Sequence, residues 1–378
     1  MFLYWALFFV FAVGALTSMR RMWLPNERPS VASPPGAPAA APAPARSSDK
    51  SLILAALFPI VLIGFRYRVG TDYPTYVEIF RRINHLDFST SLGVADPGYA
   101  ALNWAVAQVG GGLWVVNLIC GIFFTYGLVK FAKDQPNPWL AITIAVPYLV
   151  ITVGMGYSRQ SVAIGMAMAG LTAVSRGSFP RFIAYVLFGA LFHRSVIILI
   201  PLITLAYSRN RLMAVTAGII GSLVGYWVLT SGGGYEKFQD TYINHILFES
   251  QGAGIRLAMN IPPAILFLLF MRRLSPDKHE RMTYVILSII AFISLILLNI
   301  FSSFSTPLDR MALYVIPLQL FVLSRLPTAF PDDRGNPSAP VTAGIILYSA
   351  VVEFVWLNYA TFARDWVPYQ FYPLHLFG

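Results

Sequence analysis

The stretch Arg181–Tyr207 reads RFIAYVLFGALFHRSVIILIPLITLAY and is apolar on both sides of a polar step at His193, Arg194 and Ser195. It forms either one long membrane helix or two shorter helices that meet at this step. With two helices, the basic residues of the downstream loops divide eight to four in favour of the cytoplasmic side, and with one helix the division is reversed. Because cytoplasmic loops are enriched in Lys and Arg, we expect two helices here and both chain termini outside.

The composition is that of a membrane protein. Of the 378 residues, 57% are hydrophobic and 12% are charged, which is about half the charged fraction of a typical soluble domain. Apolar runs of roughly 15 to 22 residues recur without the alternation of a transmembrane barrel. We predict an all-α polytopic protein with about 11–12 transmembrane helices, at 2–19, 51–65, 113–131, 139–156, 159–175, 181–193, 195–207, 211–230, 257–271, 283–303, 309–326 and 341–362.

The N-terminal region divides into an anchor and a linker. Arg20 and Arg21 follow the first apolar run, which is typical of an uncleaved signal anchor over residues 1–28 with its N-terminus outside. Residues 29–50 are rich in Pro and Ala and cannot bury apolar surface, so we expect a disordered cytoplasmic linker.

Residues 51–378 are predicted to form the membrane domain. Its loops 66–97 and 231–256 fall on the periplasmic side. The segment 98–110 reads GYAALNWAVAQVG. It is too short to cross a membrane and predicts an interfacial or re-entrant helix. The loop 231–256 is long, bounded by glycines and aromatic.

The charge distribution excludes a nucleic-acid-binding surface and raises the possibility of a phosphate-binding site. The net charge is +10, but the 27 basic residues are spread over short loops, 17 predicted inside and 10 outside. Nine of the ten outside are arginines, with Lys237 the exception. Arginine binds phosphate through a planar, bidentate fork. Codon usage in a GC-rich genome is the alternative explanation of the bias.

The segment FRYRVGTDYPTY, residues 65–76, follows directly on an apolar run. Asp72 can accept hydrogen bonds from the backbone or from Arg66 or Arg68, and the tyrosines Tyr73 and Tyr76 can anchor at the headgroup layer or stack on sugar rings. An interfacial anchor with a helix-capping aspartate is the simpler interpretation. Two arginines and an aspartate within seven residues exceed what an anchor requires.

Two further polar steps open or break apolar runs. Arg159 and Gln160 begin a span with small residues on one face, which suits close helix packing; Arg159 either extends to the headgroups or faces a polar cavity. His193 and Arg194 lie between two half-length apolar segments, where ionisable residues usually face a cavity. Histidine is the usual general base near neutral pH. A histidine satisfied by a backbone carbonyl is the alternative.

Three charged residues near the C-terminus complete the candidates. Asp309 is explained as a helix cap, whereas Arg310 beside it has no such structural reason. Glu353 falls in mid-span and requires a partner, a proton or a water-filled cavity. No metal-binding or Gly-rich phosphate motif is present in the sequence, so we predict neither a metal nor a cofactor.

Four motifs follow one another along the chain: GFRYRVGTDYPTY, DPGYAALNWAVAQVGG, SRQSVAIGMAM and FPRFIAYVLFGALFHRSVIILIPL. In this order they resemble the Wzy-like bacterial polysaccharide polymerases, in particular their EpsG-like exopolysaccharide branch. The resemblance covers about residues 60–205 and continues more loosely through Arg310 to the terminal WVPYQFYP. The first span and the linker lie outside its strongest part.

The resemblance implies a multi-pass, GT-C-like enzyme of the bacterial inner membrane with a periplasmic active site. It implies metal-independent, inverting transfer of a polymer between undecaprenyl-diphosphate-linked oligosaccharides, with a chain-length regulator and a repeat-unit flippase as partners. The cations that hold the leaving diphosphate would be Arg68, Arg159, Arg194 and Arg310, with Arg66 either beside them or paired with Asp72. His193 or Asp72 would be the base. Gln160 would line the site, Tyr73, Tyr76 and Tyr99 would stack on sugars, and the loop 231–256 would close over the acceptor.

Three other functions fit the same pattern. An O-antigen-ligase-like enzyme uses the same donor with a different acceptor. A transporter or flippase of lipid-linked oligosaccharide is the second, but no internal repeat is evident and the ionisable residues gather on one side. A scaffold of a synthesis complex would leave the outer arginines without a role.

Overall fold

The computed structural model describes residues 1–22, 49–207, 216, 252–275, 277–301 and 305–375. Within these ranges the secondary structure is helical, apart from one isolated antiparallel bridge between Arg66 and Phe371. The all-α prediction is confirmed. Three predicted regions lie largely outside the described residues. They are most of the linker, the span 211–230 except Thr216, and the loop 231–256 up to residue 251.

The helices of the first half agree with the predicted spans to within a few residues. A π-helix, Val146–Gly154, continues α7, and a 3₁₀ helix, Arg194–Ile198, precedes α10. The helices are α1 (Phe2–Met22), α2 (Asp49–Gly64), α3 (Tyr73–Ile83), α4 (Phe88–Ser91), α5 (Pro97–Gln108), α6 (Leu113–Ala132), α7 (Pro138–Ala145), α8 (Ser158–Ser175), α9 (Phe179–Ala190) and α10 (Leu199–Tyr207).

The second half contains further helices and a structured C-terminal segment. A 3₁₀ turn, Leu313–Val315, joins α14 to α15, and the 3₁₀ turns Ala363–Asp365 and Tyr372–His375 follow α16. The helices are α11 (Ala253–Ala258), α12 (Ile261–Leu274), α13 (Lys278–Ile300), α14 (Ser305–Ala312), α15 (Pro317–Ala329) and α16 (Ala339–Tyr359).

The described part of the chain contains six helical stretches that are long and apolar enough to cross a membrane. They are Phe2–Met19, Leu113–Ala132, Ala253–Leu274, Lys278–Ile300, Ser305–Ala329 and Ala339–Tyr359. Four shorter apolar helices accompany them, at Lys50–Gly64, Pro138–Gly154, Phe179–Ala190 and Arg194–Ala206. The prediction of a multi-pass membrane protein is confirmed.

Helix α8 lies at the centre of the bundle. Ser158 and the run from Gln160 to Val174 are buried. A Cβ atom added to Gly127 of α6 would lie 1.8 Å from the carbonyl oxygen of Gly165 in α8, so these two helices touch backbone to backbone. Since α8 is enclosed by protein, it needs no bulky apolar residues facing lipid, which accounts for its Gly-, Ala- and Ser-rich sequence.

The bundle has two distinct ends. We call the end that holds the C-terminus of α2 and the N-termini of α6 and α8 the upper end, and the opposite one the lower end. At the lower end Arg325 donates to Glu280 at 2.7 Å and to the side-chain oxygen of Gln135 at 3.0 Å. This partly buried pair ties α13, α15 and the loop after α6 together.

Helix α1 packs into the same core as the rest of the bundle. Near its start, the Tyr4 hydroxyl donates to the carbonyl of Trp366 at 2.7 Å. Near its end, the Asn137 amide donates to the carbonyl of Ala15 at 3.1 Å. The first helix is therefore held at both ends by the remainder of the chain.

The chain breaks at the polar step of the stretch 181–207, as predicted. Helix α9 ends at Ala190, His193 is extended (φ −155°, ψ 108°), and the next helix begins at Arg194. The carbonyl of Leu191 accepts a hydrogen bond from the Gly98 amide at 2.7 Å, which places the break beside the start of α5 at the upper end.

About half of the predicted loop 66–97 is helical, which the sequence pattern did not predict. It contains α3 and α4, which pack with α5 beside α6. Helix α5 is the short, non-spanning helix that the sequence predicts. Asp87 caps α4 by accepting from the Thr90 amide at 3.0 Å. The upper end is thus covered by short helices that surround its polar residues.

Gly127→Ala should destabilise the protein, because the added methyl group meets the backbone of α8 and the two central helices must move apart. We expect a loss of about 1–3 kcal/mol in the free energy of unfolding, measured as a lower midpoint of thermal unfolding in detergent. Gly344→Ala is the matched control, since a Cβ there meets nothing within 4 Å. Equal midpoints for the two variants would contradict the close contact.

Candidate functional site

Asp96 joins two arginines from different helical segments. Its carboxylate lies 3.1 Å from the Arg159 guanidinium, at the start of α8, and 3.4 Å from that of Arg194, at the start of the 3₁₀ helix. Asp96 directly precedes α5, yet its side chain makes no capping hydrogen bond. The structure therefore uses this carboxylate to hold two cations together. Asp96 was not among the candidates predicted from the sequence, although the acidic start of DPGY signalled it.

Arg310 forms a second pair beside the first. Its guanidinium lies 3.4 Å from the Asp72 carboxylate and 3.9 Å above the centre of the Tyr157 ring. The Gln160 amide donates to the backbone carbonyl of Arg310 at 2.6 Å. Gln160 thus fixes α14 against the start of α8, and it acts through the backbone of Arg310.

A third pair links α11 to α14. Arg256 donates to both carboxylate oxygens of Asp309, each at 2.8 Å, in a bidentate arrangement. Asp309 lies inside α14, so its explanation as a helix cap was wrong. Its partner Arg256 was not selected from the sequence, because it lies at the edge of a segment that has no distinctive motif.

His193 lies in a short hydrogen-bonded chain. The Ser195 hydroxyl is 2.7 Å from Nδ1 of His193 and 2.9 Å from the Tyr314 hydroxyl. Burial, together with the nearby guanidinium groups of Arg159 and Arg310, lowers the pKa of His193 to about 3. The imidazole is therefore neutral near pH 7, and it would be a weak proton acceptor.

Arg66 differs from the other arginines because it is 1% exposed. Its guanidinium donates to the carbonyl of Ile63 at 2.8 Å and to the Ser158 hydroxyl at 2.5 Å. The alternative pairing with Asp72 is not formed, because Asp72 pairs with Arg310. Arg66 joins the end of α2 to the start of α8 and is enclosed by protein, and its part in holding the diphosphate stays a prediction.

The predicted sugar-stacking tyrosines divide into two kinds. Tyr76 and Tyr99 are 2% and 0% exposed, and their rings pack on each other at 5.7 Å between centroids. Protein encloses both rings in this structure, and their stacking on sugar stays a prediction. The Arg159 guanidinium lies 6.0 Å from each ring, and these tyrosines support that arginine. Tyr73 is half-buried, with part of its surface accessible.

The ion pairs of Asp96, Asp72 and Asp309, together with His193, Ser195 and Tyr314, form what we call the cluster. Two other residues that the sequence singled out lie apart from it. Arg68 is exposed, with its guanidinium 5.2 Å from the centre of the Tyr67 ring. Glu353 is fully buried within α16, and both of its carboxylate oxygens lack a hydrogen-bond partner in the described part of the chain. Neither residue takes part in the ion pairs of Asp96, Asp72 and Asp309.

The chemistry of the cluster suits anions. Guanidinium groups, tyrosines and a neutral imidazole gather at the upper end, and the arginines Arg159, Arg194 and Arg310 are each only partly buried. Among the described residues, no group of three or more His, Cys, Asp or Glu side chains could hold a metal ion. The arrangement can bind and orient a phosphate-bearing group through several arginines.

Fold and site together define a class: a multi-pass, all-α membrane protein with an arginine-rich polar cluster at one end. The chain belongs to the EpsG family, which it matches over residues 50–371. This confirms the resemblance read from the motifs, and it gives the chain a role in polysaccharide polymerisation. No curated protein and no solved structure is significantly similar to the chain. The GT-C-like relation stays a prediction.

Asp96→Asn should lower exopolysaccharide production roughly tenfold, because the arginine pair loses the charge that holds it while solvent still screens part of the repulsion. Production is measured in a deletion strain that carries the variant and is normalised to the protein found in the membrane fraction. Asp87→Asn is the control, since Asn also caps helices and Asp87 lies outside the cluster. Unchanged production with Asp96→Asn would contradict this role.

Proposed function

We propose that the protein polymerises undecaprenyl-diphosphate-linked oligosaccharides by metal-independent, inverting glycosyl transfer at the periplasmic face of the bacterial inner membrane. The observation that carries the proposal is the convergence of Arg159, Arg194 and Arg310 at one end of the bundle. These arginines come from separate segments, and carboxylates hold them in place. Membership of the EpsG family supports polymer formation as the outcome.

In the proposed reaction, a hydroxyl oxygen of the acceptor sugar attacks the anomeric carbon of the donor. The bond from that carbon to the diphosphate oxygen breaks, and the diphosphate leaves with the electron pair. The three arginines stabilise the negative charge that develops on the leaving group. Because the attack comes from the face opposite the leaving group, the anomeric configuration inverts.

The proton of the attacking hydroxyl goes to a base. His193 and Asp72 are the two candidates, and both lie in the cluster. His193 is neutral and so is available to accept a proton, while Asp72 is half-buried beside Arg310. Arg68 lies on the exposed loop before Asp72, apart from these three arginines, and its contact with the diphosphate stays a prediction. A chain-length regulator and a repeat-unit flippase are the proposed partners.

The charge distribution supports the periplasmic assignment. The upper end carries arginines, whereas the loops and helix ends at the lower end carry the lysines of the described chain together with further arginines. They include Lys50, Lys130, Lys133, Arg176, Arg181, Arg272, Arg273, Lys278, Arg281, Arg325 and Arg334. By the positive-inside rule, the lower end faces the cytoplasm and the cluster faces out.

Arg159→Ala and Arg310→Ala should each lower polymerisation at least about 100-fold, because each removes a cation that stabilises the leaving diphosphate. The assay uses purified protein in nanodiscs, lipid-diphosphate repeat units from its own organism, and a gel that resolves the products. Arg81→Ala is the control: Arg81 is 70% exposed on α3 and pairs only loosely with Glu78.

A product ladder from the wild type and from Arg81→Ala, lost in the two cluster variants, is the expected result. A single product on a different acceptor would indicate a ligase. Movement of the lipid across a sealed bilayer without any ladder would replace the enzyme with a transporter.

The rate of polymerisation should show no inflection near pH 6.5. A histidine base of ordinary pKa, about 6.5, becomes protonated below that pH and loses activity. Because the pKa of His193 is lowered to about 3, the imidazole stays unprotonated between about pH 5 and pH 8. The initial rate is measured across this range beside His193→Gln. A fall centred near pH 6.5 in the wild type alone would contradict the lowered pKa.

A further inference from the structure

A group of aromatic rings at the upper end has no part in the proposed transfer. We call it the aromatic platform: Phe65, Tyr67, Tyr73, Trp114, Phe371 and Tyr372. All six side chains are half-buried, so each presents part of its surface outward. Phe65 and Trp114 stack at 5.3 Å and 17°, and Trp114 and Tyr372 stack at 6.0 Å and 25°. Three rings are thus close to parallel.

The backbone holds the platform in place. The chain around Arg66 pairs with the C-terminal segment through the bridge to Phe371. The Tyr67 amide donates to the carbonyl of Gln370 at 2.9 Å, and the Tyr372 amide donates to the carbonyl of Phe65 at 2.7 Å. Segments about 300 residues apart in sequence are thereby fixed against each other, and the rings are arranged before any ligand arrives.

Arg68 adds a cation to the edge of the platform. Its φ angle is +52°, in the left-handed region that non-glycine residues seldom adopt. The side chain is exposed, and its guanidinium lies 5.2 Å from the centre of the Tyr67 ring. Strained residues gather at functional sites, and this one lies at the edge of the platform.

The platform adjoins the ion-pair cluster. Tyr73 directly follows Asp72, which pairs with Arg310, and its ring lies 6.2 Å from that of Tyr67. A substrate that is bound at the cluster and extends past Asp72 and Tyr73 reaches the platform. The two surfaces therefore form neighbouring parts of one face of the protein.

We propose that the aromatic platform binds the sugar rings of the polysaccharide substrate beyond the bond that is made. A flat aromatic ring packs against the C–H face that pyranose rings share, and Arg68 can donate hydrogen bonds to sugar hydroxyl or carboxylate groups. This binding rests on the proposed function, since it extends the same substrate away from the diphosphate. It would hold the polymer while each new unit is joined.

Aromatic residues also gather where a membrane meets water, and the structure favours sugar over lipid. Phe65 and Tyr67 lie just beyond the end of α2, Tyr73 begins α3, Trp114 lies in the first turn of α6, and Phe371 and Tyr372 follow α16. Several of these rings stack on one another. They also border a charged cluster, with Arg68 at their edge. An anchoring belt needs neither stacked rings nor an exposed arginine in a strained conformation.

The test uses the full-length protein in nanodiscs of phosphatidylethanolamine and phosphatidylglycerol. The probe is lipid-free oligosaccharide released from the polysaccharide of the same organism, and binding is measured by saturation-transfer NMR. Tyr67→Ala combined with Tyr372→Ala should weaken binding on the order of tenfold. Phe88→Ala is the matched control, because Phe88 is an aromatic residue of the same end, 47% exposed, that lies outside the platform.

If the double alanine variant does not fold, Tyr67→Leu combined with Tyr372→Leu keeps the apolar volume and removes the flat rings. Loss of binding in either double variant, with binding kept in Phe88→Ala, supports the proposal. Equal binding in all variants, or no binding by active wild-type protein, overturns it. Quenching of tryptophan fluorescence by brominated lipid that Trp114→Phe removes, with no response to oligosaccharide, would identify a membrane anchor instead.

Arg310→Ala separates this proposal from the proposed function. The probe carries no diphosphate and undergoes no transfer, so this variant should bind it as the wild type does. If the wild type makes no polymer yet binds the probe at the platform, only the proposed reaction fails. If it makes polymer and the platform variants bind the probe normally, only the platform fails.

Discussion

Like charges repel strongly where little water screens them, and the upper end of this bundle gathers several arginines in a small space. Carboxylates from other segments lie between or beside them: Asp96 between Arg159 and Arg194, Asp72 beside Arg310, and Asp309 beside Arg256. The helices that carry these residues can approach one another because the charges are paired. The four guanidinium groups still exceed the three carboxylates, so this set keeps a positive charge that suits an anionic substrate.

The position of the cluster follows from the packing of α8. This helix is buried almost throughout, and it meets α6 at the glycine contact between residues 127 and 165. Its first turn carries Ser158, Arg159 and Gln160, which contact Arg66, Asp96 and the backbone of Arg310 respectively. A central helix of small residues thus presents one polar turn to segments on several sides. Close packing and the polar site are two consequences of the same sequence.

Most of the helical spans could be predicted, because a continuous apolar run has few other stable forms in a membrane. The break at His193 was also predictable, since a polar step divided an apolar run and the loop charges favoured two helices. The individual arginines were harder. Arg66 and Arg159 both lie next to apolar runs in the sequence, yet one is enclosed by protein and the other lies beside Asp96. Nothing local distinguishes them.

The sequence by itself determined the membrane class, the approximate spans, the family and several of the polar residues that lie at the upper end. These features depend on composition, the length of apolar runs and the order of short motifs. All three can be read from the linear sequence without knowing which residues meet. Only the tertiary structure decided which residues meet: Arg159 and Asp96 are 63 positions apart, and Arg310 and Asp72 are 238 apart. Such contacts depend on how helices pack, so Asp309 pairs with Arg256 and does not cap a helix as its sequence context indicated.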